Sequence, residues 1–179
     1  MPAFALAARE APATLTGTLA ELDETVSRTD HFEFYWFPHT DRVLTKANTR
    51  MPLGTPLAPL GRLSSYVDDE LMSNKAFEAI NRIVTRFPAA IPRANAVSSR
   101  VLSAREYTDR SHRVFASSRK VRFREMEYAV PSESIPYVVR EIDRWLESSS
   151  CTVAFPVEVR FAAADDIWLS TAYERTSAY

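Results

Sequence analysis

The chain has 179 residues, 46% hydrophobic and 25% charged, with a formal net charge of −1. That is enough chain for one domain with its own core, and so balanced a charge excludes long-range attraction to nucleic acid or an anionic membrane. A single cysteine, Cys151, excludes an internal disulfide and points to a reducing, cytoplasmic compartment; three glycines, Gly17, Gly54 and Gly61, exclude a glycine-rich phosphate loop. The opening MPAFALAARE has too short an apolar run for a signal peptide, and no stretch approaches the ~20 apolar residues of a membrane span.

Residues 3–9 read as a short strand. A helix is expected over about 12–28, with Leu15, Leu19, Leu22 and Val26 on one stripe. HFEFYWFPH (31–39) reads as a strand with Phe32, Phe34 and Trp36 on one face and His31, Glu33 and Tyr35 on the other; Pro38 ends its pairing. Residues 50–63, with Pro52, Pro56 and Pro59, read as a loop. A long helix is expected over about 66–87, with Phe77, Ile80, Val84 and Phe87 on one side, broken by Pro88 and Pro92, then a shorter one over about 93–104.

His112–Ala116 and Val121–Val130 read as two strands joined at Ser117, Ser118 and Arg119. In the second, Glu125 and Glu127 oppose Met126, Tyr128 and Val130; Val121 and Phe123 lie on the glutamate side, which calls for a bulge. Pro131 stops that strand, and Ser132 is placed to cap a helix over about 134–148 carrying Ile135, Val138, Val139, Ile142, Trp145 and Leu146. A further strand opens at TSAY (176–179). The hairpin-like pair and the one-sided strands predict an α+β fold, an antiparallel sheet with helices packed on one face.

The most informative stretch is Phe155-Pro156-Val157-Glu158-Val159-Arg160-Phe161, which alternates with a strand's period of two. Glu158 and Arg160 then share one face, roughly 7 Å apart at Cβ. The ionised carboxylate only accepts hydrogen bonds and the guanidinium only donates them, a pairing suited to a ligand rich in hydroxyl or lactone oxygens. A solvated sheet face is the plain alternative; Tyr, Trp and His crowded into 31–37 argue against it. The histidines (His31, His39, His112) lack ligand spacing, no GxSxG occurs, and the basic run Arg119, Lys120, Arg122, Arg124 reads as a solvated cluster rather than a nucleic-acid surface.

HFEFYWFPHTDRVLTK, YTDRSHRVFASSRKVRFREMEYAVP and FPVEVRFAAADDIWLSTAY together resemble FAD-linked sugar-lactone oxidases, the arabinonolactone and gulonolactone oxidase or dehydrogenase family, related to alditol oxidases. The resemblance covers nearly all of the chain. It implies a single cap, or substrate-binding, domain whose polar sheet face roofs a flavin site. It assigns Glu158 and Arg160 to hold the substrate hydroxyls during hydride transfer to FAD, with Glu125, Glu127, Tyr35 and His31 lining the pocket and no metal. The implied partners are a sugar lactone or polyol and an FAD-binding domain, in cis or in trans; some relatives associate with membranes.

The chain departs from that pattern in three respects. The FAD-binding domain is missing, and so is a C-terminal His-Trp-Gly-Lys segment. Glu174 stands after Thr-Ala-Tyr where the family has glycine, a strain if that turn needs positive φ. The chain therefore reads as an internal fragment, inactive alone, with an open sheet edge that favours self-association. The competing reading is a catalytically inactive relic or interaction module of the same fold.

Overall fold

The computed structural model describes residues 4–52, 54–61, 77–116 and 124–179. Seven strands form one antiparallel sheet: β1 (Ala5–Ala13), β2 (His31–Phe37), β3 (Arg42–Met51), β4 (Arg105–Arg110), β5 (Val130–Pro131), β6 (Val157–Ala162) and β7 (Ser177–Ala178). Their order across the sheet is β4-β1-β3-β2-β6-β7-β5. The fold is α+β, as the sequence predicts. Helices α1 (Leu15–Ala20), α2 (Leu22–Arg28) and α6 (Ile135–Ser148) cover one face. Three further helices are α3 (Phe77–Arg86), α4 (Ile91–Arg100) and α5 (Ser111–Phe115).

The core follows from periodicity. Phe32, Phe34 and Trp36 project from β2 to the same side as Val43 from β3 and Val159 from β6. Against them lie Leu15, Leu19 and Leu22, and Ile135, Val139 and Leu146. The last three recur at helical spacing and form the apolar stripe of α6. The stripe predicted for 12–28 is also real, but the helix is interrupted at Glu21. Thr14 caps α1, its hydroxyl accepting from the Gly17 N–H at 3.1 Å, and Asp41 accepts from the Thr16 N–H at 3.0 Å.

Several expectations are corrected. The first strand runs on to Ala13 because all nine of its residues pair with β3, from Ala5 opposite Met51 to Ala13 opposite Val43; pairing overrides the helix preference of its alanines. Pro92 does not break a helix; it lies in the first turn of α4, where its missing N–H costs nothing. Residues 111–115 form a helix rather than a strand. Only Val114 is buried there, against Leu6 and Ala8, so α5 covers part of the other sheet face. Residues 124–129 have no regular structure, which leaves Val130–Pro131 as the strand of that segment. Ser132 opens a 3₁₀ turn rather than capping a helix, and Ser134 at the start of α6 supplies no side-chain cap. Phe87 is exposed beyond α3. The predicted helical residues 66–76, and 117–123 with the basic run up to Arg122, lie outside the described residues.

The strain anticipated at position 174 is present: Glu174 has φ = 54° in the turn before β7. A side chain in that region crowds its own backbone. Glu174→Gly is therefore expected to raise stability by about 1 kcal/mol. In urea unfolding the midpoint should rise with the slope unchanged; an unchanged or lower midpoint would show that the turn tolerates glutamate without strain. Among the described residues no helix is long and apolar enough to cross a membrane.

Candidate functional site

Val159 is buried in the helical face of the sheet, and Val157 and Phe161 pack beside it. Alternation then sends Glu158 and Arg160 to the opposite face. The register decides what stands beside them. Tyr35 is directly opposite Glu158, and Glu33 directly opposite Arg160. Glu33 is in turn opposite Lys46, Lys46 opposite Glu10, and Glu10 opposite Arg105. One row crosses five strands as Arg105, Glu10, Lys46, Glu33, Arg160, with charges alternating at every step.

The row is held by three ion pairs. Arg105 Nε donates to Glu10 Oε2 at 2.6 Å, and Lys46 Nζ lies 3.2 Å from Glu33 Oε1. At the far end the Arg160 guanidinium donates to the Glu127 carboxylate, which extends the row to a sixth charge. Side-chain exposure falls from 34% at Arg105 to 6% at Glu10, then rises through 14% at Lys46 and 17% at Glu33 to 49% at Arg160 and 55% at Glu127. The inner members, Glu10, Lys46 and Glu33, interact most strongly, because the surroundings there screen less.

Hydroxyl groups complete the surface. Tyr35 donates to Glu33 Oε1 at 3.3 Å, and Tyr107 to Glu10 Oε1 at 3.1 Å. Burial, and next the Glu10 charge, push the Tyr107 hydroxyl well above its usual pKa, so it stays a donor. The Tyr179 ring lies 5.9 Å from the Arg160 guanidinium carbon, and its hydroxyl meets that of Thr171 at 2.5 Å.

The predicted site residues divide. Glu158, Arg160 and Tyr35 share one patch, and Glu127 joins it from an irregular segment rather than from a strand. Glu125 is exposed and takes part in none of these pairs. His31 shares the face but stands at the end of β2, edge-on to Phe115 at 5.0 Å between ring centroids. There Arg50 donates to its Nε2 at 3.4 Å. Burial, then the Arg50 charge, lower its pKa, which favours the neutral ring, and the strand's register places it away from Glu158.

Sequence reasoning missed Glu10, Lys46 and Arg105. Lys46 and Arg105 lie on β3 and β4, strands whose polar composition hid them; the alternation of Val43, Thr45 and Ala47 was the available signal for β3. A cavity of about 330 Å³ opens on the helical face, lined by Arg9, Ala11, Thr14, Thr18 and Thr45 among others. It contains none of the predicted site residues, and its lining offers no comparable set of paired charges. The patch at Glu158 and Arg160 is the better candidate on chemical grounds. Its fixed acceptors and donors match a polyhydroxylated ligand, and no group of three or more His, Cys, Asp or Glu able to hold a metal occurs among the described residues.

A family described as D-arabinono-1,4-lactone oxidase matches residues 1–179. The L-gulono-1,4-lactone dehydrogenase of Mycobacterium tuberculosis (strain ATCC 25618 / H37Rv) is 38% identical over 182 residues, covering 100% of this chain and 41% of its own length. The L-gulonolactone oxidase of Scyliorhinus torazame is 31% identical over 100% of this chain and 40% of its own, and that of Bos taurus 28% identical over the same shares. The chain thus spans about two fifths of the length of the curated relatives it matches.

Proposed function

Because the chain belongs to the D-arabinono-1,4-lactone oxidase family, a family of sugar-lactone oxidoreductases, we propose that it is the substrate-holding cap portion of an FAD-dependent member. The substrate class is a sugar 1,4-lactone of the D-arabinono or L-gulono kind, or a related polyol. The observation that carries this reading is the shared face: Glu158 and Arg160 stand side by side, away from the helical layer, with Tyr35 and Glu33 as cross-strand neighbours.

In this reading Arg160 donates to a lactone or hydroxyl oxygen and stabilises negative charge developing there. Glu158 accepts from a neighbouring hydroxyl and fixes the sugar's orientation, so that the reacting carbon is presented in one pose. Gly17, Gly54 and Gly61 are scattered along the sequence and do not cluster as a glycine-rich phosphate loop would, which supports placing the flavin outside this chain. FAD is therefore assigned to a partner domain, in cis or in trans, where it supplies the oxidant. Ile167 is 63%, Trp168 87% and Leu169 98% exposed, on the loop that Thr171 ties to Tyr179 beside Arg160. So much bare apolar surface beside the patch supports a covering partner.

The direct test is the purified chain. It is expected to be colourless, to take up no FAD on dialysis against the cofactor, and to oxidise neither lactone. A yellow preparation with lactone-dependent turnover overturns the division of labour proposed here.

A further inference from the structure

The geometry points to Lys46 as a positioning residue for Arg160, acting through Glu33. This deepens the reading above and rests on it for its functional meaning. Besides Glu158 on its own strand, Arg160 has two carboxylates beside its place in the sheet. Glu33 is its direct cross-strand partner, and opposite charges so placed attract. Glu127 comes from outside the sheet ladder at this point. Yet the guanidinium is paired with Glu127, and Glu33 is held by Lys46 at 3.2 Å and by the Tyr35 hydroxyl at 3.3 Å.

The exposures explain the choice. The Lys46 and Glu33 side chains are 14% and 17% exposed, so each is costly to leave unpaired and strongly attracted to the other. Arg160 and Glu127, about half exposed, form the weaker pair. Lys46 therefore satisfies Glu33 and leaves Arg160 directed outward, where a ligand oxygen can replace Glu127 as its partner. Remove the ammonium, and the part-buried Glu33 carboxylate becomes the stronger attractor; its nearest cross-strand cation is then Arg160. The same ammonium donates to the Val114 carbonyl at 3.1 Å, so a purely structural role, holding α5 in place, has to be separated from this one.

The experiment reads which carboxylate Arg160 engages, by NMR correlations in the full chain between the guanidinium nitrogens of Arg160 and the carboxylate carbons of Glu33 and Glu127. The unaltered chain should show the Glu127 correlation. Lys46→Met should lose it and gain one to Glu33; Lys46→Arg should keep the original pattern. Lys46→Met combined with Glu33→Gln should restore the Glu127 correlation, although the Val114 contact is still missing. Retention of the Glu127 correlation in Lys46→Met overturns the proposal, and so does failure of the double variant to restore it. Circular dichroism of each variant verifies that it is folded, and a double variant that is folded keeps the test decisive if Lys46→Met alone is not. None of these signals depends on lactone chemistry, so the proposal can fail while the functional reading stands, and the reverse.

Discussion

Replacing the residues that match Glu158 and Arg160 in the full-length L-gulono-1,4-lactone dehydrogenase of M. tuberculosis, by Gln and Ala respectively, is expected to lower kcat/KM at least about a hundredfold each. A hundredfold loss corresponds to about 2.7 kcal/mol of transition-state stabilisation. One charge-assisted hydrogen bond contributes roughly 1.5–3 kcal/mol, so a single lost contact to the reacting sugar suffices. The arginine variant should lose kcat as well as affinity, because a guanidinium aimed at developing charge is worth more in the transition state than in the ground state. The position matching Glu106 provides the control. In this chain Glu106 pairs with Arg9 on the helical face, both side chains 74% exposed, and its change to Gln should leave turnover untouched. Near-normal kcat/KM in both site variants would sink the assignment and return the polar face to an ordinary solvated surface.

The sheet's apolar side was legible because it follows one rule. Phe32, Phe34 and Trp36 alternate cleanly, Val157, Val159 and Phe161 do the same, and Ile135, Val139 and Leu146 repeat at helical spacing; each pattern names its face without further information. The polar side was legible only where an apolar partner marked the alternation. Glu158 and Arg160 could be placed because Val157, Val159 and Phe161 flank them, and Tyr35 because Phe34 and Trp36 do. Lys46 and Arg105 escaped notice because a cross-strand ion pair has no sequence signature: the residue that makes Lys46 tolerable on β3 is Glu33 on β2, and the residue that makes Arg105 tolerable on β4 is Glu10 on β1. Glu127 reaches Arg160 by a route the sequence does not predict. A predicted strand was to aim it at the site, whereas an irregular segment delivers it to Arg160. Residues 111–115 failed for want of length, since five residues with one buried valine fit either period.

The second large effect lies in the core. The three tryptophans share one chemistry and differ in surroundings: Trp36 is 0% exposed, Trp145 55% and Trp168 87%. Trp36→Ala is expected to cost about 3–5 kcal/mol, the range for emptying a fully buried large aromatic site. Two features place it toward the upper end. The indole Nε1–H donates to the Thr40 carbonyl at 2.9 Å, so the variant also strips a partner from the turn that follows β2. The ring also lies between Val43 of β3 and Val157 of β6 in the register, at the middle of the sheet, where little backbone can collapse into the void. Set against a typical domain stability of about 5–15 kcal/mol, such a loss leaves the chain marginal or unfolded. Trp145→Ala and Trp168→Ala remove exposed surface and should stay within about 1 kcal/mol of the parent. Urea unfolding followed by circular dichroism ranks the three. If Trp168→Ala proved as damaging as Trp36→Ala, the layer of helices over β2, β3 and β6 could not be the core, and with it would go the argument that turns Glu158 and Arg160 to the other face.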